Sequence, residues 1–161
     1  MKTICVISEV DGQRYCVRKR KHIAKTADLL ATVANRLTQL VDHVKDKWPR
    51  RAFVGRLIEN YEPRGIQEIL PTSTYCTENK GDKMAFCTTT EKKREKLIDP
   101  NTLMYVAIHE LAHISSKSVG HTEEFWKNFR TLLIEAARIK IYTPVDYSVK
   151  PVIYGGGTAE H

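Results

Sequence analysis

The chain has 161 residues, of which 42% are hydrophobic and 28% are charged, and it carries a formal net charge of +7; this size and composition are typical of one globular domain. No apolar run approaches the roughly 18 residues that a membrane span requires, and the apolar stretch in the first ten residues is too short for a secretory signal. We therefore expect an intracellular protein that is neither secreted nor embedded in a membrane.

Positive charge is concentrated in the N-terminal third of the chain. Residues 1–56 contain 13 Lys and Arg against five Asp and Glu, whereas the remaining residues contain 13 against 14. Clustered cations are typical of contacts with a phosphate backbone, although a basic surface can also serve only to keep a small protein in solution. On the first interpretation, the candidate DNA-binding residues are Arg14, Arg18, Lys19, Arg20, Lys21, Lys25, Arg50 and Arg51.

The same N-terminal region is predicted to form a β-hairpin and a long helix. In residues 2–19, two short apolar runs flank a turn that contains an Asp-Gly pair. Residues 26–47 then carry leucines and valines at helical spacing, and this amphipathic helix must end before Pro49. A weaker helix is predicted from Ala52 to Tyr61.

Three short strand candidates follow, and they are Ile66–Leu70, Thr74–Thr77 and Lys83–Thr88. The last two are joined by the turn-forming segment Asn79-Lys80-Gly81-Asp82, so we expect them to pair as a hairpin.

Four cysteines, Cys5, Cys16, Cys76 and Cys87, occur in a chain that has no secretory signal. Cysteines of intracellular proteins are kept reduced, so we expect buried free thiols that pack as small hydrophobic side chains. A hairpin centred on Gly81-Asp82 would place Cys76 and Cys87 roughly opposite each other, which leaves a bridge or a second metal open at that place.

The most informative motif is His109-Glu110-Leu111-Ala112-His113. Two histidines four positions apart project from one face of a helix, close enough to bind one Zn²⁺. Glu110 can then act as general base on a water that zinc activates. Asp99-Pro100 is a good helix start, and residues 103–108 are apolar almost all round, so this helix is predicted to be buried. Burying a carboxyl group and two imidazoles is costly unless a partner such as a metal binds them.

A zinc hydrolase normally has three protein ligands and keeps one position for water, so a third ligand is required. His121 is the best candidate, because Gly120 permits the chain to turn and Thr122 can cap a second helix. His121 then lies on the tight connection between two helices and can point back at His109 and His113.

Two other interpretations of this segment remain open. Glu123 or Glu124 could be the third ligand instead, although acids in a first helical turn commonly serve only the helix dipole. A fourth protein ligand, from one of these acids or from a cysteine, would close the site and make the zinc structural.

These segments resemble the WLM-domain metallopeptidases, which are relatives of the SprT and Spartan proteases that digest proteins crosslinked to DNA. The resemblance covers about residues 50–154, and its most specific part is the pairing of HELAH at 109–113 with GHTEEFW at 120–126. Further matches are Asn79-Lys80-Gly81, Cys87 and Asp99-Pro100-Asn101-Thr102-Leu103.

The resemblance implies an α+β fold of the minimal zincin-like type. A small mixed or antiparallel sheet would pack on the active-site helix and on two to three further helices. The whole chain, 1–161, would be one metallopeptidase domain, with a basic hairpin and helix at 1–48 and the zincin core at about 50–154.

The resemblance also implies roles for individual residues. Zn²⁺ would be the cofactor, held by His109, His113 and His121, and Glu110 would be the catalytic base. A strand just upstream of the active helix would form the sheet edge on which an extended substrate pairs, which makes Met84-Ala85-Phe86-Cys87 the candidate substrate-binding segment. The same segment can also be plain sheet structure. Three phenols are candidates for the oxyanion donor, and they are Tyr142, Tyr147 and Tyr154.

The implied function is that of a zinc-dependent endopeptidase that cleaves proteins on or crosslinked to DNA. Its partners would be DNA-bound protein substrates and single- or double-stranded DNA, it would be a monomer, and it would be nuclear or otherwise DNA-associated. The alternatives are a non-catalytic, zinc-stabilised nucleic-acid-binding module and a zinc amidohydrolase that acts on small substrates.

Overall fold

The computed structural model describes residues 3–18, 22–63, 66–68, 77–80, 83–86, 97–145, 153–154 and 157–158. Within these ranges the fold is α+β, as expected. The helices are α1 (Ile23–Lys47), α2 (Ala52–Asn60), α3 (Pro100–Ser115) and α4 (Glu123–Arg138). The strands are β1 (Thr3–Ile7), β2 (Arg14–Arg18), β3 (Ile66–Glu68), β4 (Thr77–Lys80), β5 (Lys83–Phe86), β6 (Ile153–Tyr154) and β7 (Gly157–Thr158).

Helix α1 confirms the long amphipathic helix predicted for residues 26–47, and it begins slightly earlier, at Ile23. Its stripe of leucines and valines is buried in the core, as its 3.6-residue periodicity requires. The helix stops before Pro49, whose ring restricts the residue that precedes it. Helix α2 confirms the weaker helix predicted from Ala52 to Tyr61.

Strands β1 and β2 form the antiparallel hairpin predicted for residues 2–19, and Cys5 lies directly opposite Cys16. The two Sγ atoms are joined in a disulfide, so the expectation of reduced thiols is wrong for this pair. The physical reason is the register of the hairpin. A loop from Ser8 to Gln13, closed by a hydrogen bond from the Ser8 N–H to the Gln13 carbonyl, brings the two cysteine Cα atoms to 3.9 Å.

A three-stranded mixed sheet has the order β3-β5-β4, with β3 parallel and β4 antiparallel to β5. Strands β4 and β5 pair as the predicted hairpin; β4 covers Thr77–Lys80, and residues 74–76 of the predicted strand lie outside the described residues. Cys76 and Cys87, the pair considered for a bridge or a second metal, lie outside the described residues.

Strand β5 is the middle strand of this sheet, which contradicts the expectation that Met84-Ala85-Phe86-Cys87 offers a free edge to a substrate. Met84 is in register with Ile66 on one side and with Asn79 on the other. A strand that already pairs on both sides cannot accept a further strand by β-augmentation. Among the described strands, β3 and β4 are the outer ones, and Cys87 is not described.

One hydrophobic core joins the described elements. It contains Val17 of the hairpin, Leu37 of α1, Leu57 of α2, Ile66 of β3 and many side chains of α3 and α4. Helix α1 is therefore packed on α3 and α4, which flank the histidines, and the hairpin is packed on α1. No helix in the described part of the chain combines the length and the apolar character that crossing a membrane would need.

Candidate metal centre

Helix α3 carries the histidine motif and begins as the sequence predicts. The Asp99 carboxylate accepts hydrogen bonds from the Thr102 backbone N–H at 3.0 Å and from the Thr102 hydroxyl at 2.6 Å, and Pro100 is in the first turn. Of the 16 residues in α3, 11 are buried. This packing fixes the rotation of the helix about its axis, and hence the direction in which His109 and His113 point.

The side chains of His109, His113 and His121 converge. The Nε2 atom of His109 lies 3.2 Å from Nε2 of His113 and 3.2 Å from Nε2 of His121. One ligand atom from each of the three residues lies within 4.8 Å of the others. Nitrogens bound to zinc at about 2.0–2.1 Å in tetrahedral geometry are about 3.3 Å apart, so the two separations of 3.2 Å fit one shared ion. The three predicted ligands therefore form a possible metal site.

The number of N–H groups on these imidazoles, and their neutral form, also favour the binding of one shared cation. Nε2 of His109 lies at hydrogen-bonding distance from two nitrogen atoms. A neutral imidazole has a single N–H, so it can donate only one hydrogen bond of this kind. Burial, and then the neighbouring His121 imidazole, lower the pKa of His113. The neutral form of histidine, which is the form that binds metals, is thereby favoured.

Aromatic side chains of α4 form a wall against the three imidazoles. The Phe125 ring stacks on His113 with centroids 4.3 Å apart, and the Phe129 ring meets His109 edge-on at 5.3 Å. The Trp126 ring lies 5.7 Å from that of His121. These contacts restrict rotation of the imidazoles and cover their apolar faces.

The segment that carries His121 is held in place by Glu124. Its Oε2 accepts a hydrogen bond from the Lys117 N–H at 2.8 Å, and its Oε1 accepts from the Ser118 N–H at 2.8 Å and from the Ser118 hydroxyl at 2.6 Å. The Ser118 hydroxyl, the two backbone N–H groups and the nearby Arg56 together lower the pKa of Glu124 to about 2. Both oxygens are thus engaged with the loop, and the described metal-binding cluster does not include Glu124.

The turn before α4 has the conformation that the sequence predicts. Gly120 has a φ of +86°, a conformation that glycine adopts at little cost. The Thr122 hydroxyl accepts a hydrogen bond from the Phe125 N–H at 3.2 Å and so caps α4. His121 is thereby placed between the turn and the cap, on the connection from which it reaches His109.

Side chains of helix α2 form hydrogen bonds with the C-terminal end of α3, and the sequence analysis did not predict these contacts. Arg56 donates a hydrogen bond through Nε to the Ser115 carbonyl at 2.7 Å, and Asn60 donates to the Ile114 carbonyl at 3.1 Å. These donors satisfy carbonyl groups at the C-terminal end of α3 that have no partner within the helix. The partners are more than 50 residues apart in the chain, and the sequence contains no local signal that joins them.

Glu110, the predicted catalytic base, lies next to His109 on α3 and is buried, with 7% of its surface exposed. Its role as a general base beside the first ligand stays a prediction. Glu123, which was open as an alternative ligand, is exposed in the first turn of α4, and the described metal-binding cluster does not include it.

The candidate DNA-binding residues are spread along α1. Lys25 lies in its first turn, Arg14 lines a cavity together with Asn35 near its middle, and Arg50 and Arg51 follow its C-terminal end. A helix of 25 residues is about 36 Å long, so a nucleic acid would have to follow that length to meet both ends. Arg18 is half-buried, and Lys19, Arg20 and Lys21 lie outside the described residues.

Of the three candidate oxyanion donors, Tyr142 is described with its side chain. It is buried, and its ring lies 6.3 Å from that of Tyr105. Tyr147 lies outside the described residues, and Tyr154 is described only as part of β6.

Proteins of three viruses are similar to this chain. An uncharacterized protein of Acanthamoeba polyphaga mimivirus is 29% identical over 157 residues, which cover 94% of this chain and 79% of that protein. An uncharacterized protein of Invertebrate iridescent virus 3 is 36% identical over 62 residues, which cover 38% of this chain and 39% of that protein. An uncharacterized protein of Invertebrate iridescent virus 6 is 36% identical over 52 residues, 32% of this chain and 29% of that protein. No family model and no solved structure matches the chain.

Proposed function

We propose that this protein is a zinc-dependent endopeptidase. The observation that carries the proposal is the convergence of His109, His113 and His121, together with the buried Glu110 that follows His109 on α3. Three protein ligands are typical of a catalytic zinc, whereas a structural zinc has four. Among the described residues, no carboxylate or thiolate belongs to the cluster, which supports a site that keeps one position for water or substrate.

Zinc is proposed because of the donor set and its spacing. Imidazole nitrogens suit Zn, Cu, Fe and Ni, and separations of 3.2 Å between Nε2 atoms fit the tetrahedral arrangement that zinc adopts. When bound, zinc would supply a Lewis acid that polarises a peptide carbonyl and lowers the pKa of water.

The side chains of this protein would perform the other steps. Glu110 would take a proton from the attacking water and then deliver it to the amine that leaves. Phe125, Phe129 and Trp126 would hold the imidazoles in one orientation through the ring contacts described above. The hydrogen bonds of Glu124 to the loop would keep His121 within reach of the other two histidines.

We extend the proposal to proteins that are bound or crosslinked to DNA. Support comes from the exposed cations along α1 and from the resemblance of the two histidine segments to WLM-domain peptidases. DNA held on a basic surface would raise the effective concentration of any protein attached to it. Such an enzyme would act in DNA repair as a monomer, and it would be located in the nucleus or wherever else DNA lies.

The test is a hydrolysis assay on an unfolded protein substrate. We expect cleavage by the zinc-loaded protein, loss of cleavage when a chelator removes the metal, and recovery when zinc is returned. DNA should raise the rate at low salt and raise it less at high salt, because screening weakens contacts with phosphates. Stoichiometric zinc without cleavage of any protein, with or without DNA, would contradict the proposal and favour a structural zinc site.

A further inference from the structure

A second surface lies beside the metal centre and takes no part in the steps above. It is an open groove of about 530 Å³ along α4 and the chain that follows this helix. Tyr105, Leu133, Ala137 and Tyr142 form an apolar lining. Cavities of this size and character are typical of places that receive part of a ligand.

Large apolar side chains of this groove are exposed to solvent. Ile134 is 46% exposed and Val145 is 39% exposed, and both line the groove. Grouped exposed apolar side chains in a concave surface commonly mark a binding site, whereas single ones need no explanation. The groove is therefore suited to an apolar side chain of a partner molecule.

The groove lies close to the candidate metal centre, next to the ring of Phe129. Tyr105 precedes His109 by one helical turn on α3, which corresponds to a rise of about 6 Å. The Phe129 ring lies 5.3 Å from the ring of Tyr105 and 5.3 Å from that of His109, and it links the two places directly. An extended peptide advances about 3.3 Å per residue, so a peptide bond at the metal would place a side chain two to three residues away in the groove.

The charge at the groove is positive. Arg130 and Arg138 both line it, eight positions apart on α4, which corresponds to about 12 Å. Arg138 Nε lies 3.6 Å from Glu135, whereas Arg130 is exposed and makes no ion pair in the part of the chain that the structure describes. Arg130 is the first residue of α4 that lines the groove, so it lies at the end of the groove nearer to the helix start that follows His121.

We propose that this groove binds the polypeptide substrate itself, through a segment in which an apolar side chain lies close to an acidic one. The acidic residue pairs with Arg130, and the apolar residue fills the space between Tyr105, Ile134 and Tyr142. This inference rests on the proposed function, because it assigns the groove to the substrate of that activity. The groove would thus select peptide bonds two to three residues from such a segment.

The test measures peptide binding without hydrolysis. Zinc-loaded Glu110→Gln protein is titrated into short fluorescein-labelled peptides with Glu-Ala-Phe, Lys-Ala-Phe or Glu-Ala-Ser at the centre, and fluorescence anisotropy is recorded. We expect the Glu-Ala-Phe peptide to bind most tightly. Arg130→Glu and Ile134→Lys, each introduced into that protein, should weaken its binding by about tenfold, as expected for a disrupted charge pair or a disrupted apolar contact.

Matched controls use the same substitutions elsewhere. Lys45→Glu is the control for Arg130→Glu, because it reverses a positive charge at an exposed position of α1. Ile58→Lys is the control for Ile134→Lys, because it replaces an isoleucine that is 39% exposed on α2. Neither control should alter peptide binding. Arg130→Glu should also prefer the Lys-Ala-Phe peptide over Glu-Ala-Phe. A merely unfolded variant would not show this reversal.

Three outcomes decide between the possibilities. Equal affinity of all variants for all peptides would overturn the groove proposal, and hydrolysis by the wild-type protein would then still stand. A dimer that Ile134→Lys dissociates, without any peptide binding, would overturn it in favour of a second copy of the chain. Selective binding without hydrolysis by the wild type would support the groove and contradict the peptidase activity.

Discussion

His109 is the residue on which the site is centred, because its Nε2 atom faces both other imidazoles and its ring touches Phe129. It is held by a buried helix whose start is capped by Asp99. Its neighbour Glu110 is buried by the same packing. The geometry of the candidate site therefore depends on a few side chains of one well-packed helix and on one loop.

Replacing Glu110 by Gln tests the proposed base. Gln has nearly the same shape but cannot take a proton, so we expect hydrolysis to fall by about 10²–10⁴-fold while zinc content is unchanged. The measurement is kcat/KM on an unfolded protein together with metal analysis of the same sample. Full activity of Glu110→Gln would remove Glu110 from this role, and loss of zinc would show that its role is structural.

Replacing Glu124 by Gln tests the support of the third ligand. Gln presents an N–H group where the loop also donates, so one of the bonds to Lys117 or Ser118 is lost and the segment carrying His121 is loosened. We expect zinc to bind about tenfold more weakly, as is typical when a group that supports a ligand is removed. Competition with a chromophoric chelator measures this affinity.

Glu123→Gln is the matched control for that substitution, because Glu123 is adjacent and exposed. Its zinc affinity should equal that of the wild type. A loss in Glu123→Gln as large as that in Glu124→Gln would contradict the assignment, since it would point to Glu123 as a ligand or to the charge of the helix terminus as the cause.

The cluster of candidate metal ligands could be predicted from the sequence because its signals are local. A four-residue spacing places His109 and His113 on one helix face, and Gly120 and Thr122 mark the turn that directs His121. The contact of Arg56 with the Ser115 carbonyl could not be predicted, because it joins residues that are 59 positions apart. Support of that kind depends on how whole elements pack.

At the scale of elements, α1 and α4 are joined through one buried carboxylate. Glu135 is 2% exposed, and its Oε1 lies 2.8 Å from His43 Nε2 and 2.8 Å from Lys47 Nζ. Burial by itself raises the pKa of Glu135, but the hydrogen bonds of Lys47 and His43 and the charges of Lys47 and Arg138 outweigh it. The pKa is therefore lowered from its ordinary value of 4.5.

From the lowered pKa of Glu135 we can predict how the stability of the protein changes with pH. A lowered pKa contributes stability that is present above pH 4.5 and is lost as the pH falls through the lowered value. At neutral pH, Glu135→Gln should reduce the free energy of unfolding by about 2 kcal/mol, the size expected for hydrogen bonds to a charged group. The difference from wild type should begin to shrink below pH 4.5, where Glu135 of the unfolded chain takes up a proton, and it should be lost once the pH falls below the lowered pKa of the folded protein.

Urea unfolding at a series of pH values measures this difference. Glu59→Gln, which changes an exposed acid on α2, should be as stable as the wild type throughout. A difference between Glu135→Gln and wild type that stays constant through the acid range would contradict the link between α1 and α4.

Helices α1 and α2 and the first hairpin were predictable because their apolar periodicity or turn residues lie within each element. The order of the mixed sheet was not, because pairing with two partners depends on contacts between distant segments. For this reason Met84-Ala85-Phe86 was expected at an edge and lies in the middle. The disulfide was missed because the register that brings Cys5 opposite Cys16 depends on the whole loop between them.

For the whole molecule, the spread of cations along α1 predicts how DNA would bind. Lys25 and Arg50 lie at opposite ends of α1, a helix about 36 Å long, which is the length of about ten base pairs. Lys25→Glu and Arg50→Glu should each reduce the slope of log K against log salt by about one, and a duplex much shorter than ten base pairs should lose one of these two contributions. Fluorescence anisotropy with duplexes of different length measures both effects.

Lys127→Glu, an exposed substitution on α4, is the control and should leave that salt slope unchanged. If the wild-type protein binds neither single- nor double-stranded DNA at low salt, the basic residues serve solubility and the DNA part of the proposal is wrong.

The zinc-bound protein offers the most direct measurement, X-ray absorption at the zinc edge. It should show three imidazole nitrogens at about 2.0–2.1 Å and one further light atom, with one ligand fewer when His121 is replaced by Ala. A sulfur neighbour at about 2.3 Å, or fewer than three imidazoles in the wild type, would contradict the central claim that these three histidines share one ion.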